Sequence, residues 1–222
     1  MKRFLTFCML FLAMHTLSYA QLVYTPLSGD LLFQDLDCGP YCESIEKVTK
    51  GVDGADFSHM GILVMKEGQP YVYEAVSKGV TSTPLQDFLL RNLDEKGNPK
   101  VMVGRLKSAY HSLIPKALQQ AELLLGNAYD EIYIDGDDAY YCSELVYEIF
   151  KRANQGKALF ALSPMTYTDP DTQQTFPIWE AYFAERGMKV PEGVPGINPG
   201  AISRSHYLEI IHRYYQSAAL GR

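Results

Sequence analysis

His59-Met60-Gly61-Ile62-Leu63-Val64-Met65-Lys66-Glu67-Gly68-Gln69-Pro70-Tyr71-Val72-Tyr73-Glu74-Ala75-Val76 is the stretch that decides the fold class of this chain. Its two arms are rich in β-branched and aromatic residues, and Glu67-Gly68 between them is a turn pair, so the stretch reads as two antiparallel strands. With a two-residue turn, Lys66 faces Gln69, Gly61 faces Glu74 and His59 faces Val76. His59, Gly61, Glu74 and Val76 then share one side of the sheet, whereas a shift of one residue separates His59 from Glu74. In the expected register the two are diagonal neighbours, roughly 7–8 Å apart in backbone, within reach of a long side chain. Gly61 leaves room for that reach.

Outward from the hairpin the pattern stays mixed. Gly29-Asp30-Leu31-Leu32-Phe33 is a turn into a short buried strand, and Lys100 to Leu106 is a further strand. Glu43 to Lys50 suits a short helix closed by Gly51, and Pro84 to Arg91 a helix with Pro near its start. Ile114 to Leu125 is amphipathic and stops at Gly126. Residues 127–140 are an Asp- and Tyr-rich loop. Cys142 to Ala153 is a strong helix with Leu145, Val146, Ile149 and Phe150 on one face. From Ser163 the chain is punctuated by Pro and Gly, with one short helix near Ile178–Arg186. The expected fold class is α+β, an antiparallel sheet packed against segregated helices.

The first residues speak to compartment. Basic Lys2-Arg3, the apolar run Phe4 to Ala13 and the small residues of Ser18-Tyr19-Ala20 form a cleavable secretory signal over 1–20. That run is shorter than the roughly 20 residues a spanning helix needs, and no later segment replaces it. Residues 21–222 are then expected to be a single exported domain without stable membrane insertion. Loss of Lys2 and Arg3 moves the formal charge from −6 to −8. An acidic chain with no Lys/Arg cluster does not suit nucleic acid.

Export leaves three cysteines, Cys38, Cys42 and Cys142, and an odd number in an oxidising compartment implies a disulfide and a free thiol, or an intermolecular bond. Cys38 and Cys42 are close enough in sequence to pair. Cys142 stands where an irregular loop turns into a helix, facing unpaired backbone N–H groups and the positive end of the dipole, both of which favour a thiolate. The same N–H groups suit the oxyanion of a tetrahedral intermediate. The plainer reading is a small buried residue at the start of a core helix. A base decides between them. His111, His206 and His212 lie in polar surroundings, whereas His59 opens an apolar strand. Glu74, inside Val72-Tyr73-Glu74-Ala75-Val76, costs stability unless paired, either with His59 or with an Arg or Lys. Cys42, also ahead of a helix, is the rival nucleophile, but only sixteen residues separate it from His59. No Cys/His spacing suits a zinc site, and no metal or cofactor is expected.

Gly29-Asp30-Leu31-Leu32-Phe33, Phe57-Ser58-His59-Met60-Gly61-Ile62, Tyr73-Glu74-Ala75-Val76, Gly104-Arg105-Leu106, Gly126 with Tyr129-Asp130, and Tyr140-Tyr141-Cys142-Ser143-Glu144-Leu145-Val146-Tyr147 together resemble the permuted papain-like amidases, YiiX-like relatives of the NlpC cell-wall peptidases. The resemblance runs from about Ser28 to Arg152. It implies a papain-like fold in which the His-bearing sheet precedes the Cys-bearing helix, with Cys142 as nucleophile, His59 as base and Glu74 as third residue. It implies hydrolysis of an amide or ester in a peptide or small-molecule substrate, such as a cell-wall peptide, a lipid amide or an N-acyl amino acid. Lipid acyltransferases of the same fold and a catalytically silent ligand-binding module are the alternatives it leaves. The Cys38/Cys42 pair and the tail after Gln155 depart from the family pattern.

Overall fold

The computed structural model describes residues 24–215 except 135 and 137, so the expected secretory segment lies outside the described residues. In chain order the elements are β1 (Leu31–Gln34), α1 (Pro40–Val48), β2 (His59–Lys66), β3 (Gln69–Val76), β4 (Gly79–Pro84), α2 (Leu85–Leu90) and β5 (Val101–Leu106). Then follow α3 (Ile114–Leu123), α4 (Cys142–Ala153), β6 (Ser163–Pro164), α5 (Pro177–Glu185), β7 (Pro195–Gly196), α6 (Pro199–Ser203) and β8 (Leu208–Arg213). The fold is α+β: an antiparallel sheet in the order β4-β3-β2-β1-β5-β8, with β6 and β7 pairing apart from it.

The hairpin has the register its turn demands. Lys66 pairs with Gln69 and Ile62 with Tyr73. Glu67 and Gly68 both take positive φ, 50° and 79°, as the two-residue hairpin turn that matches strand twist requires. Gly61 allows β2 and β3 to close here, because a Cβ on it would lie 2.5 Å from a Val72 methyl and 2.9 Å from the Tyr73 carbonyl.

The central strand explains how both faces are filled. All four residues of β1 are fully buried, and alternation sends Leu31 and Phe33 one way and Leu32 the other. Leu31 and Phe33 join Met60, Ile62 and Tyr73 against Leu145, Ile149 and Phe150 of α4. Leu32 joins Leu63, Val72 and Val101 under Leu85 and Phe88 of α2. Helices therefore cover the sheet on both sides.

Two strands of the main sheet escaped the sequence reading, as did the short β6, β7 and α6. β4 continues from β3 through a two-residue turn, with Val76 opposite Gly79. β8 lies in the Pro- and Gly-punctuated tail and closes the sheet edge beside β5. The tail is also pinned to the nucleophile helix. The backbone N–H of Ile197 donates to the Tyr141 hydroxyl at 3.1 Å, and Ser143 Oγ donates to the Ile197 carbonyl at 3.0 Å.

Next to this pin α6 and the end of α1 meet backbone to backbone. A Cβ on Gly200 would lie 1.9 Å from the Thr49 carbonyl oxygen and 2.9 Å from that of Lys50. Backbone cannot rotate aside as a side chain can, so Gly200→Ala is expected to cost about 2–3 kcal/mol, the upper part of the range for overpacking. Urea unfolding of parent and variant measures it. Equal midpoints would mean that the two segments separate freely.

Candidate active site

Cys142 is the first residue of α4, a helix of twelve residues whose early N–H groups have no intrahelical acceptor. Glu144 Oε2 accepts from the Tyr141 N–H at 3.2 Å and fixes the entry to the helix. The thiol is buried, is not part of a disulfide, and lines a groove of about 860 Å³. Cys38 and Cys42 are bonded to each other across the start of α1, so Cys42 has no free thiol.

His59 opens β2 at the end of the sheet. By alternation its side chain lies on the α2 face with Leu63, and its ring centroid is 5.8 Å from that of Phe88. The α4 helix packs on the other face, so imidazole and thiol come together at the sheet's end, where both line the groove. Glu74 Oε2 takes His59 Nε2 at 2.5 Å, which leaves Nδ1 as the ring nitrogen for the thiol.

Glu74 is fully buried and resolves the alternatives raised for it by taking both partners. Besides His59 it accepts two hydrogen bonds from Arg91, Nη1 to Oε2 at 2.8 Å and Nη2 to Oε1 at 2.6 Å, and one from Thr83 Oγ1 at 2.5 Å. Four bonds use the full accepting capacity of a carboxylate. Gln34 sits opposite His59 in the β1–β2 register and holds the other side of this arrangement. Its Nε2 donates to the Phe88 carbonyl at 2.8 Å and its Oε1 faces Arg91.

The electrostatics follow. Burial disfavours the charged form of Glu74, but the hydrogen bonds from Arg91 and His59 outweigh it and hold the carboxyl well below the usual range. Burial likewise disfavours imidazolium, yet the bonds to Cys142 and Glu74 prevail and push His59 up to about 9. The buried acid stays ionised and the histidine stays protonated through neutral pH, as a thiol–imidazole pair requires.

The sequence reading missed Arg91, Thr83 and Gln34. Among the described residues His111 bonds the Leu106 carbonyl and His212 stacks on Tyr24, both away from the groove. The tail after Gln155, which the resemblance did not account for, builds a groove wall with Met165, Tyr167, Trp179 and Tyr182, and the Cys38–Cys42 bond borders the same groove.

A thiol at a helix N-terminus, an imidazole and a buried carboxylate, with the sheet ahead of the helix in the chain, define a papain-like site in permuted order. The chain belongs to the permuted papain-like amidase family YaeF/YiiX, C92, whose model matches residues 25–212. It is 34% identical over 131 residues to the protein YiiX of Escherichia coli (strain K12), a match spanning 59% of this chain and 60% of that relative's length. It also resembles the crystal structure of the metalloprotein yiiX from Escherichia coli O157:H7, with a TM-score of 0.70 and 27% identity over 87% of this chain and all of that one. That protein is described as a metalloprotein. In this chain, among the described residues, no group of three or more His, Cys, Asp or Glu side chains is placed to hold a metal ion, and Glu74 has spent its oxygens on Arg91, Thr83 and His59.

Proposed function

We propose that this protein is an exported cysteine hydrolase that cleaves an amide, with Cys142 as nucleophile, His59 as acid and base, and Glu74 as the group that orients and charges the histidine. The observation that carries the reading is that His59, bonded to the buried Glu74, lines the same groove as the Cys142 thiol at the start of α4.

The steps balance on these residues. The Cys142 thiolate adds to the carbonyl carbon, and the oxyanion forms where the first-turn N–H groups of α4 can receive it. His59 passes its proton to the leaving nitrogen, and the C–N bond breaks to give an amine and a thioester on Cys142. Neutral His59 then takes a proton from water, the hydroxide adds to the thioester, and collapse releases the acid with the thiolate restored. Glu74 keeps the imidazolium favoured throughout and Arg91 keeps Glu74 in place. The secretory signal over residues 1–20 supports export, and a peptide or small-molecule amide suits a groove of this size.

The experiment is to trap the thioester. Incubation with an activated acyl ester, followed by intact-mass measurement, is expected to show one acyl group, mapped by peptide analysis to Cys142. Acylation of another residue, or none under conditions that modify a control thiol enzyme, would remove Cys142 as nucleophile.

A further inference from the structure

The groove offers more room than the reacting bond needs, and one wall of it is built from aromatic rings. Tyr41 of α1, Tyr133 of the segment before α4 and Tyr182 of α5 surround Trp179, with ring centroids 4.6, 5.6 and 5.6 Å from it. Tyr133 is also 5.3 Å from the ring of Tyr141, the residue immediately before Cys142. The rings therefore begin beside the nucleophile and extend away from it.

Polar contacts fix this wall. The Tyr41 and Tyr133 hydroxyls bond each other, and the Tyr182 hydroxyl donates to the Glu131 carbonyl at 2.8 Å. Arg186 lies over the Tyr182 ring and pairs with Glu131 at 2.7 Å. Asp130 accepts from the N–H groups of Ile132, Tyr133 and Ile134, and Tyr133 is held at φ 55°, a conformation that costs a residue with a side chain about 1–3 kcal/mol. Nothing in the thiol chemistry uses this costly arrangement.

We infer, on top of the amidase reading, that the ring wall is a subsite for an aromatic side chain with a polar tip, a phenol or an indole, carried by the substrate beside the bond that is cut. Tilted and edge-on ring sets accept a further ring at about 0.5–1.5 kcal/mol beyond its burial. A saturated acyl chain fills the same space but makes no ring–ring contact and offers no polar atom to the Tyr41 and Tyr133 hydroxyls. A phenol O–H or indole N–H joins the hydroxyls instead. Among the described residues the charges next to these rings, Glu131 and Arg186, pair with each other, which gives an ionic side chain little to bind.

Trp179 is the chain's single tryptophan, so its emission reports on this wall without any turnover. Titration of full-length Cys142→Ala with N-acetyl-tyrosinamide, excited where only tryptophan absorbs, is expected to give a saturable change. N-acetyl-leucinamide and decanoylglycine should bind about two- to tenfold more weakly, the ring contribution converted to affinity. The tyrosinamide should also slow iodoacetamide modification of Cys142 in the parent protein. Tyr41→Leu should weaken its binding by about three- to tenfold, and Tyr182→Leu gives the same reading if that variant does not fold. Binding of leucinamide or decanoylglycine as tight as that of tyrosinamide, or no tyrosinamide binding, overturns the inference. Tight tyrosinamide binding in a protein that hydrolyses no amide would sink the amidase reading and leave the subsite standing.

Discussion

Cys142→Ala is expected to lower turnover by about ten-thousandfold or more, the scale on which removal of a covalent nucleophile is felt. The melting temperature should stay within a few degrees. The change removes one sulfur at the first position of α4, while the helix keeps Leu145, Val146, Ile149 and Phe150 in the core and the Glu144 bond at its entry. Stability and activity therefore part company in this variant. Steady-state hydrolysis of an amide found by substrate screening, with a thermal melt on the same samples, makes the measurement. Activity within tenfold of the parent would mean that the thiol is packing, as the plainer sequence reading had it.

Glu74→Gln should cost both properties. The amide keeps one acceptor for His59 but loses the charge that favours imidazolium, so turnover is expected to fall by about a hundred- to ten-thousandfold, with slower iodoacetamide modification of Cys142 at neutral pH. Arg91 loses its anionic partner at the same time. Breaking a buried pair costs about 3–5 kcal/mol, and the guanidinium is 31% exposed, so about 2–3 kcal/mol is expected here. Arg91→Met separates the two effects. It leaves Glu74 ionised beside His59 with less to offset its charge, so imidazolium becomes more favoured while the fold weakens.

The same cluster sets a pH signature. His59 is pushed up to about 9 from 6.5, so its contribution to stability is complete below pH 6.5 and lost as pH rises towards 9. Glu74 is held low, so its contribution is present above its ordinary value of 4.5 and fades only in stronger acid. Parent protein should therefore lose stability between about pH 6.5 and 9 in excess of Glu74→Gln. Melting curves of the two proteins across that range test the assignment, and parallel curves would show that His59 is not held by the carboxylate.

The hairpin and the pairing of His59 with Glu74 were legible because Glu67-Gly68 admits one register, and a register fixes which side chains share a face. The start of α4 was legible because an irregular loop gives way to a clear helical period at Cys142. Arg91 was not, since a cation at the end of a short helix reads like any solvated charge until folding brings α2 over β3. β8 was hidden for another reason. Leu208 to Arg213 mixes apolar and charged residues with a broken alternation, because the pairing with β5 slips by one residue at Ile211, and the Pro- and Gly-rich run before it reads as loop. The aromatic wall of the groove comes from three distant segments, and no local pattern announces such a meeting.

The pin between Ile197 and the start of α4 bears on when the protein becomes reactive. The chain leaves the ribosome with His59 and Glu74 first, Cys142 next, and the segment that braces Tyr141 and Ser143 some fifty residues later. A chain halted or cleaved between Ala153 and Ile197 would carry all three proposed catalytic side chains and still lack the brace that positions the nucleophile, the β8 edge of the sheet and one side of the groove. Competence thus waits on a segment made well after the thiol itself.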